Sequence, residues 1–502
     1  MFRLAIVLGA LLAAASGAGA AAQESRGPTL VVADATGPPS TLDPYRIYGT
    51  QVQSFFRQLY GGLVDRSPDG SLQPGVAERW ELVEDHLWRL TLRKGVRFHN
   101  GEEVTAEDVR FSLERILAKG GVRRRDFDFI DRVVVVDSHT VDILTRISYP
   151  ILPARLAQFG VVLPKRLIEA KGEEEFFRAP VGLGPFQFVH MDRQRAVFRA
   201  HEQYYQGPPG VSNLIFEFIG SEEERMNRLL QGRVHIVTNL PPRFATRVYK
   251  HPRADLVKKP ASQFYYILFN TLKDGPLAKR AVRQALRYAT NVKSLITYVA
   301  QGNGVELATF TMPEEFGYHP DVKPYPFDPG RARALLAGAG YPKGFRLRVV
   351  ATYEVEVLMR AVARQWEKVG VRLEIEVDHR TQAINRWIAH RDLDAYALDP
   401  TNLLFDAIYH LKSKLDPEHP ISRFRHPEAS RLLPVAEQAM SEERRRDALR
   451  RLQAIVHEEV PAIAFYQAVN LYGVRPEVAN FTPHADTILR LHGVTLRGKA
   501  RR

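Results

Sequence analysis

The chain has 502 residues and no cysteine, which excludes disulfides, thiolate zinc sites, cysteine nucleophiles and a lipid anchor on an N-terminal cysteine. Its formal net charge of +13 comes from 70 Lys and Arg against 57 Asp and Glu. The cations are scattered in short clusters without neighbouring aromatic rings (Arg123–Arg125, Arg444–Arg446 and 497–502), so the sequence argues against nucleic-acid binding.

The first 22 residues have the features of a secretory signal peptide. Arg3 gives a positive start, Leu4 to Leu12 are apolar, and Ala20 to Ala22 form a small-residue cleavage site. Glycine and serine dilute the apolar stretch, which barely reaches the roughly 20 residues of a membrane span. We therefore expect a periplasmic protein that begins near Gln23 and has neither a membrane anchor nor a lipid anchor.

Short β-like runs separated by turns are typical of the chain from Pro28 to about Asn270. Strands are predicted for Leu30–Ala33, Trp88–Leu92 and Val133–Val136, the last as a fully buried strand because its apolar run is continuous. Thr105 is predicted to cap a helix, and one face of this helix repeats apolar side chains at helical spacing: Val109, Leu113, Ile116 and Leu117.

From the strand-like run Tyr265–Asn270 onward, the pattern becomes more helical. The predicted helices are Arg280–Ala289, Arg331–Ala339 and Glu442–Val456, and a last strand is predicted to begin at Ala462. A strand, helix, strand unit (Phe345–Val350, Val357–Val369, Val371–Val377) is of the kind that builds a parallel pair in an α/β protein.

Sequence motifs for catalysis are missing. His201-Glu202 lacks the second histidine of a metalloprotease helix, and the chain has no GxSxG elbow, no GxGxxG and no phosphate-binding loop ending in Gly-Lys-Ser/Thr. Carboxylates are too numerous for the sequence to select a catalytic pair. We predict no enzymatic activity, no cofactor and no metal ion, and a secreted hydrolase of peptides or glycosides is the alternative.

Several motifs occur in the order found in a known family. The longest runs from Leu90 to Gly101 (LTLRKGVRFHNG) and continues through TAEDV at Thr105 to FSLERI at Phe111. Shorter ones are TLDP at Thr41, LQPGVA at Leu72, PVGLGPF at Pro180, FNT at Phe269, VRQAL at Val282, FDP at Phe327 and AGYP at Ala339. In these motifs the chain resembles family 5 of the extracellular solute-binding proteins, the dipeptide, oligopeptide and nickel class that serves ABC importers.

The resemblance implies an α/β fold with two lobes, the type II or Venus-flytrap fold of periplasmic binding proteins, with an extra subdomain in the large lobe. Residues 23–263 would form the large lobe, with the subdomain at roughly 60–180, and residues 264–465 the second lobe. Residues 466–502 would return to the large lobe, and Tyr265–Asn270 and Ala462–Tyr466 would be the hinge crossings. We expect a monomer that delivers a small solute to an inner-membrane ABC permease.

The resemblance leaves the solute open among peptides, opines, sugars and metal chelates, with a peptide or peptide-like compound favoured. In peptide-binding members an aspartate of the stretch matching 392–410 pairs with the ligand's α-ammonium, and Asp399 and Asp406 are both candidates here. The Gly-Trp pair usual in this stretch is absent. Leu183 stands where the family usually has threonine between the two glycines of PVGLGPF.

The other candidate ligand-binding residues are Tyr45, Tyr48, Arg386, Trp387 and His410. In the family, the loop after TLDP often lines the cleft. Packing of Tyr45 and Tyr48 on their own lobe is an equally good alternative. Trp387 could stack on a ligand or belong to the core, and Arg386 could bind a carboxylate or remain solvated. His410 could line the cleft or bind nickel, or be an ordinary internal histidine, and Asp399 could instead begin a turn with Pro400.

Overall fold

The structure is a computed structural model that describes residues 27–47, 50–118 and 124–498. The predicted signal peptide at 1–22 and the candidate Tyr48 lie outside these residues. Within the described ranges, no helix is both long enough and apolar enough to cross a bilayer.

Strands and helices alternate irregularly along the chain. The strands are β1 (Thr29–Asp34), β2 (Val64–Arg66), β3 (Leu72–Pro74), β4 (Ala77–Glu84), β5 (Leu87–Leu92), β6 (Ile130–Asp137), β7 (Thr140–Thr145), β8 (Phe186–Met191), β9 (Arg195–Ala200), β10 (Asn213–Phe218), β11 (Ile236–Val237), β12 (Asp255–Phe269), β13 (Gly304–Glu306), β14 (Phe345–Thr352), β15 (Val371–Asp378), β16 (Ala395–Leu398), β17 (Ala462–Val474), β18 (Val478–Ala479) and β19 (Thr495–Leu496). The helices are α1 (Thr50–Leu59), α2 (Ala106–Ala118), α3 (Arg124–Phe127), α4 (Leu152–Phe159), α5 (Lys165–Lys171), α6 (Glu173–Phe176), α7 (Glu222–Gln231), α8 (Ala245–Tyr249), α9 (Arg280–Tyr288), α10 (Val292–Tyr298), α11 (Pro329–Gly338), α12 (Glu356–Glu367), α13 (Arg380–Ala389), α14 (Ile408–Leu415), α15 (Pro427–Gln438) and α16 (Glu442–Glu459).

One long mixed sheet organises the chain, in the order β15-β14-β16-β12-β17-β11-β1-β10-β9-β8. On one side of the central β12–β17 pair, β14 runs parallel to β15 and β16. On the other side, β1 runs parallel to β10 and β11. We call residues 27–254 and 475–498 the first half and residues 270–461 the second half. β12 and β17 join the two halves.

The ladder between β12 and β17 is irregular near its middle. Its register shifts between Pro260 and Phe264 and again between Phe264 and Tyr266. Pro260 has no N–H to donate, and proline within a sheet is tolerated at such bulges. Gln263 instead forms an isolated bridge with Thr401. The irregularity lies beside position 263, where the sequence predicts the lobe boundary, and the boundaries themselves remain predictions.

Most of the predicted elements are confirmed. Leu30–Ala33 lies in β1, Trp88–Leu92 lies in β5, and the strand, helix, strand unit is β14, α12 and β15 with parallel pairing. β12 begins at Asp255 and not at Tyr265. The early part of this strand contains Lys258, Lys259 and Pro260, which obscure a β pattern.

The strand predicted at Val133–Val136 is present, but the prediction that it is fully buried is wrong. These residues lie in β6, at the edge of a separate four-stranded sheet of order β4-β5-β7-β6. Val133 is buried, whereas Val134 and Val136 are 39% and 48% exposed. An antiparallel sheet covered on one face leaves alternate side chains to solvent, even when all of them are valine. This sheet falls within residues 60–180, for which the sequence predicts an extra subdomain.

Two of the sequence motifs meet in a buried ion pair. Asp43 of TLDP accepts hydrogen bonds from Arg115, at 3.2 and 2.5 Å, and Arg115 belongs to FSLERI on α2. Arg115 also contacts Glu173 at 3.0 Å and lies 5.0 Å from the centre of the Phe177 ring. The carboxylates raise the pKa of Arg115 although its burial opposes this. The pair therefore fixes the loop after β1 to α2.

Two further motifs meet at His99. Its Nδ1 accepts a hydrogen bond from the Gly182 amide at 3.2 Å, and its Nε2 lies 2.9 Å from the Gly184 carbonyl oxygen. Burial lowers the pKa of His99 to about 4, so the ring is neutral at physiological pH with the proton on Nε2. A Cβ on Gly182 would come within 1.9 Å of the Leu59 carbonyl oxygen, which explains the glycine. PVGLGPF is thus a structural turn, and its Leu183 is fully buried.

Three titratable side chains, Glu315, His410 and Lys414, are buried together beside loop 399–406. Lys414 Nζ lies 3.4 Å from His410 Nδ1 and 4.8 Å from the centre of the Tyr266 ring. Glu315 Oε1 accepts a hydrogen bond from Asn402 at 2.7 Å. Burial raises the pKa of Glu315 to about 8, lowers that of Lys414 to about 7 and lowers that of His410 well below its usual range.

We expect Arg115→Met to lower the free energy of unfolding by about 3 kcal/mol, because Asp43 would be left buried without its main partner. The matched control is Arg110→Met on the same helix, where an exposed pair with Glu107 is lost at a cost of about 0–1 kcal/mol. Urea unfolding of both variants measures the difference. Equal losses would contradict the assigned role of the buried pair.

We expect Glu315→Gln to stabilise the protein increasingly as the pH rises from 5 to about 8. In this range the folded protein keeps a proton on Glu315 that the unfolded chain has already released, so the native chain loses up to about 1.4 kcal/mol of stability per pH unit from this group. Glutamine keeps the acceptor for Asn402 and does not titrate.

Urea unfolding of the native chain and of Glu315→Gln between pH 5 and 8 tests this prediction. The stability difference between the two proteins should grow with pH. A constant difference for Glu315→Gln would show that Glu315 is already ionised in the folded protein.

Candidate functional site

Three parallel strands of the second half end at the same edge of the sheet. Glu354, Arg380 and Asp399 follow the ends of β14, β15 and β16 within two residues, so this edge brings them together. We call these three residues the charged cluster. In open α/β sheets, ligands bind in the crevice outside the carboxyl ends of parallel strands. The cluster therefore occupies the place where such a sheet offers a binding site.

The charged cluster is held by one arginine between two carboxylates. Arg380 forms an ion pair with Asp399 and lies 4.0 Å from Glu354. Asp399 Oδ2 also accepts a hydrogen bond from Gln263 of β12 at 2.7 Å. The Asp399 side chain is 5% exposed, whereas those of Arg380 and Glu354 are 41% and 48% exposed. Arg380 and Glu354 thus present charges of both signs to solvent.

The charges in the cluster act on one another. Burial raises the pKa of Asp399, and the Arg380 guanidinium opposes this rise. Burial alone would lower the pKa of Arg380, but Asp399 and Glu354 together raise it. Arg380 is therefore a permanent cation, whose charge Asp399 neutralises in part.

Aromatic side chains of the two joining strands lie beside the cluster. Tyr265 of β12 and Tyr466 of β17 have ring centres 4.8 Å apart. Burial raises the pKa of Tyr265, and its neighbouring charges are Asp399, Arg380 and Glu354. Gln263 and Tyr265 of β12 both lie near Asp399. The arrangement offers a guanidinium for a carboxylate, a carboxylate for a cation and a ring surface for apolar groups.

Of the two candidate aspartates, Asp399 lies in the charged cluster and Asp406 lies in the interior. Asp406 Oδ2 is hydrogen-bonded to Arg445 at 2.5 Å, and its Oδ1 accepts from the Ile408 amide at 3.0 Å. Both side chains of this ion pair are almost fully buried. The acceptors of Asp406 are therefore occupied within the protein.

Trp387 and Arg386, both on α13, point in different directions. Trp387 is fully buried and donates its indole N–H to the Ile421 carbonyl at 2.8 Å. The Arg423 guanidinium lies over its ring, 4.9 Å from the ring centre. Arg386 pairs with Glu376 and Asp378 on the neighbouring strand β15. Neither side chain lies in the charged cluster. The arginine of α13 that does lie there is Arg380, at the first position of the helix.

Tyr45 and His410 are also buried. The Tyr45 hydroxyl donates to the Val161 carbonyl, and its burial raises the pKa of the phenol. His410 is 1% exposed, and its ring packs edge-on against Phe264 at 4.8 Å. Among the described residues, no three His, Asp or Glu side chains come together as a possible metal site. Of the six candidates that the structure describes, Asp399 alone lies in the charged cluster.

Loop 399–406 continues from the cluster to the first half of the molecule. Arg66 donates to the Leu404 carbonyl at 3.0 Å, and its guanidinium lies 4.8 Å from the centre of the Phe405 ring. The ring packs so closely on Gly70 that a Cβ there would come within 2.5 Å of it. The loop that carries Asp399 therefore also forms a contact between the two halves.

The sequence reasoning missed Arg380, Glu354 and Gln263. A usable signal was present, since Arg380 and Glu354 come three and four residues after the ends of two predicted parallel strands, and such strand ends converge. Gln263 had no comparable signal, because the bulge that turns it toward Asp399 is not visible in the sequence.

Comparison with known proteins identifies the family. The model described as bacterial extracellular solute-binding proteins, family 5 Middle, matches residues 71–415. Heme-binding protein A of Haemophilus influenzae is 27% identical over 95% of this chain and 94% of its own length. The dipeptide-binding protein of Escherichia coli is 26% identical, covering 86% of this chain and 88% of its own length.

A solved structure extends the comparison to the fold. HbpA2 from Haemophilus parasuis superposes with a TM-score of 0.84 at 24% identity, covering 94% of this chain and 100% of that chain. The fold is the predicted two-lobed type II fold of periplasmic binding proteins. With a family model that matches more than half of its length, the chain belongs to family 5 of the bacterial extracellular solute-binding proteins.

Proposed function

We propose that this protein is the periplasmic solute-binding component of an ABC importer and that it captures a peptide or peptide-like solute between its lobes without chemically changing it. The observation that carries the proposal is the charged cluster, in which Arg380 lies between Asp399 and Glu354 at the carboxyl ends of three parallel strands. A peptide carries a carboxylate and an ammonium group, and the cluster offers a partner for each.

The position of the cluster supports capture by closure. The cluster adjoins β12, and loop 399–406 runs from it to Arg66 and Gly70 on the other half. A ligand touched by both lobes favours the closed state, because only that state makes both sets of contacts. Two joining strands, β12 and β17, would restrict the swing of the lobes to one axis.

The names of relatives agree with a peptide-like solute without selecting one. One relative is named for dipeptides and another for heme. The mixed charges of Arg380 and Glu354 favour a zwitterion over a neutral sugar, since a neutral ligand would remove water from both groups without bringing an opposite charge to either. We expect delivery to an inner-membrane permease by a monomer.

We expect a mixed dipeptide library to raise the thermal midpoint of the protein and to be recovered intact. A ligand that binds only the folded state stabilises the protein by about 2.7 kcal/mol when its concentration is 100 times its dissociation constant. Arg380→Gln should weaken the affinity for the selected dipeptide about tenfold or more, because a charge-assisted hydrogen bond to its carboxylate is lost.

Arg386→Gln is the matched control, since it removes the same charge from the same helix at a position outside the cluster. Its dipeptide affinity should stay within about twofold of the native chain. Mass spectrometry of the recovered dipeptides distinguishes binding from hydrolysis. Cleaved dipeptide, or equal losses of affinity in the two variants, would refute the proposal.

A further inference from the structure

The two halves of the molecule meet at a phenylalanine with an unusual backbone conformation. Phe405, in loop 399–406 of the second half, has a φ of 55°. Residues with a bulky side chain are rare in this left-handed region, because the Cβ comes too close to the following carbonyl oxygen. Such strain persists only where the surrounding structure imposes it, and it clusters at ligand clamps and switches. Phe405 is thus a candidate functional position outside the charged cluster.

The second half by itself holds Phe405 in this conformation. The Phe405 carbonyl accepts a hydrogen bond from the Phe316 amide at 2.8 Å. Asn402 fixes the residues on both sides, since its Oδ1 accepts from the Leu404 amide at 3.1 Å and its Nδ2 donates to the Asp406 carbonyl at 2.9 Å. All three hydrogen bonds lie within the second half. They present the ring in a fixed direction, ready to meet the first half.

The first half receives this ring between an arginine and a glycine. The Arg66 guanidinium lies 4.8 Å from the centre of the Phe405 ring and donates to the Leu404 carbonyl at 3.0 Å and to the Gly70 carbonyl at 2.6 Å. Gly70 belongs to the turn between β2 and β3 and has a φ of 94°. A Cβ at this position would lie 2.5 Å from the ring. Only glycine therefore leaves room for Phe405.

The space beside this contact is open. A cavity of about 570 Å³ is bounded by residues 66–72 and 150–154 of the first half and by residues 314–316, 404–406 and 439–445 of the second. Protein interiors are normally packed as densely as organic crystals, and an interface of that kind would hold the halves together over a broad area. A single ring docked beside a cavity is instead a local contact, which can form and break as one unit.

We propose that Phe405 is a latch: docking of its ring between Arg66 and Gly70 sets the balance between the open and closed states of the protein. The proposal rests on the proposed function, in which closure captures the solute. Phe405 has a positioning role, because its ring acts on the solute only through the closed state that it favours. Loop 399–406 has Asp399 at its other end, so docking of the ring also fixes the charged cluster relative to the first half.

Distances between two spin labels, measured without solute, test the latch. The native chain has no cysteine, so Glu174→Cys and Tyr298→Cys provide one unique labelling site on each half, at side chains that are 86% and 81% exposed. Phe405→Asn removes the ring and introduces a residue type that tolerates the left-handed backbone. We expect it to lower the ratio of closed to open protein about fivefold or more, because ring packing and the cation–π contact are lost, and to shift the label distances to longer values.

Gly70→Ala disrupts the same contact from the first half, since its Cβ would displace the Phe405 ring, and it should also lengthen the label distances. Gly101→Ala is the matched control. Gly101 has a similar φ of 88°, but a Cβ there would meet no atom within 4 Å, so the backbone cost is the same and the distances should not change. Phe405→Asn combined with Gly70→Ala should give no larger shift than either change alone, because both remove one contact.

The affinity for the dipeptide selected from the library should fall by the same factor as the closed fraction. The latch is overturned if Phe405→Asn and Gly70→Ala leave the label distances unchanged, or if Gly101→Ala lengthens them as much as Gly70→Ala does. A protein that binds no dipeptide would contradict the proposed function alone, since the distances are measured without solute and still decide whether Phe405 holds the halves together.

Discussion

The antiparallel pairing of β12 with β17 joins the two halves of the molecule, and the rest of the architecture depends on it. β14, β15 and β16 reach this pair through β12, whereas β11 and β1 reach it through β17. A continuous ladder would make the pair stiff. The register shifts near Pro260 break it where the chain passes from one half to the other, and they turn Gln263 toward Asp399. The same local irregularity therefore interrupts the ladder at the junction of the two halves and shapes the edge that carries the charged cluster.

Loop 399–406 shows how one short segment serves several parts of the structure. Asp399 pairs with Arg380 at one end, Asp406 pairs with Arg445 at the other, and Asn402 bridges Glu315 and the Asp406 carbonyl between them. Buried charges of this kind contribute little net stability when paired and cost much when unpaired. They hold the loop in one conformation, in which Leu404 and Phe405 meet Arg66 and Gly70.

The sequence predicted the elements well where periodicity and local capping decide the structure, as in α9, α16 and the unit β14, α12, β15. It failed on burial at Val134 and Val136, because an apolar run does not reveal whether its sheet is covered on one face or two. It left Trp387 open between a ligand and the core and Arg386 open between a ligand and solvent, whereas the structure buries Trp387 and pairs Arg386 with Glu376 and Asp378. Resemblance suggested Asp399, whereas finding Arg380 would have required treating the ends of the separate predicted strands as meeting at one edge of the sheet.

Helix α1 illustrates a consequence for biosynthesis. The amide nitrogen of Gln58 is satisfied by the carbonyl of Leu489, 431 residues later, and the Leu489 amide donates back to Ser54. At about 5–20 residues per second, a ribosome needs roughly 20–90 seconds to make the intervening chain. During that time the nascent polypeptide exposes polar and apolar surface that has no partner yet. Chaperones thus have a long interval in which to hold the chain unfolded.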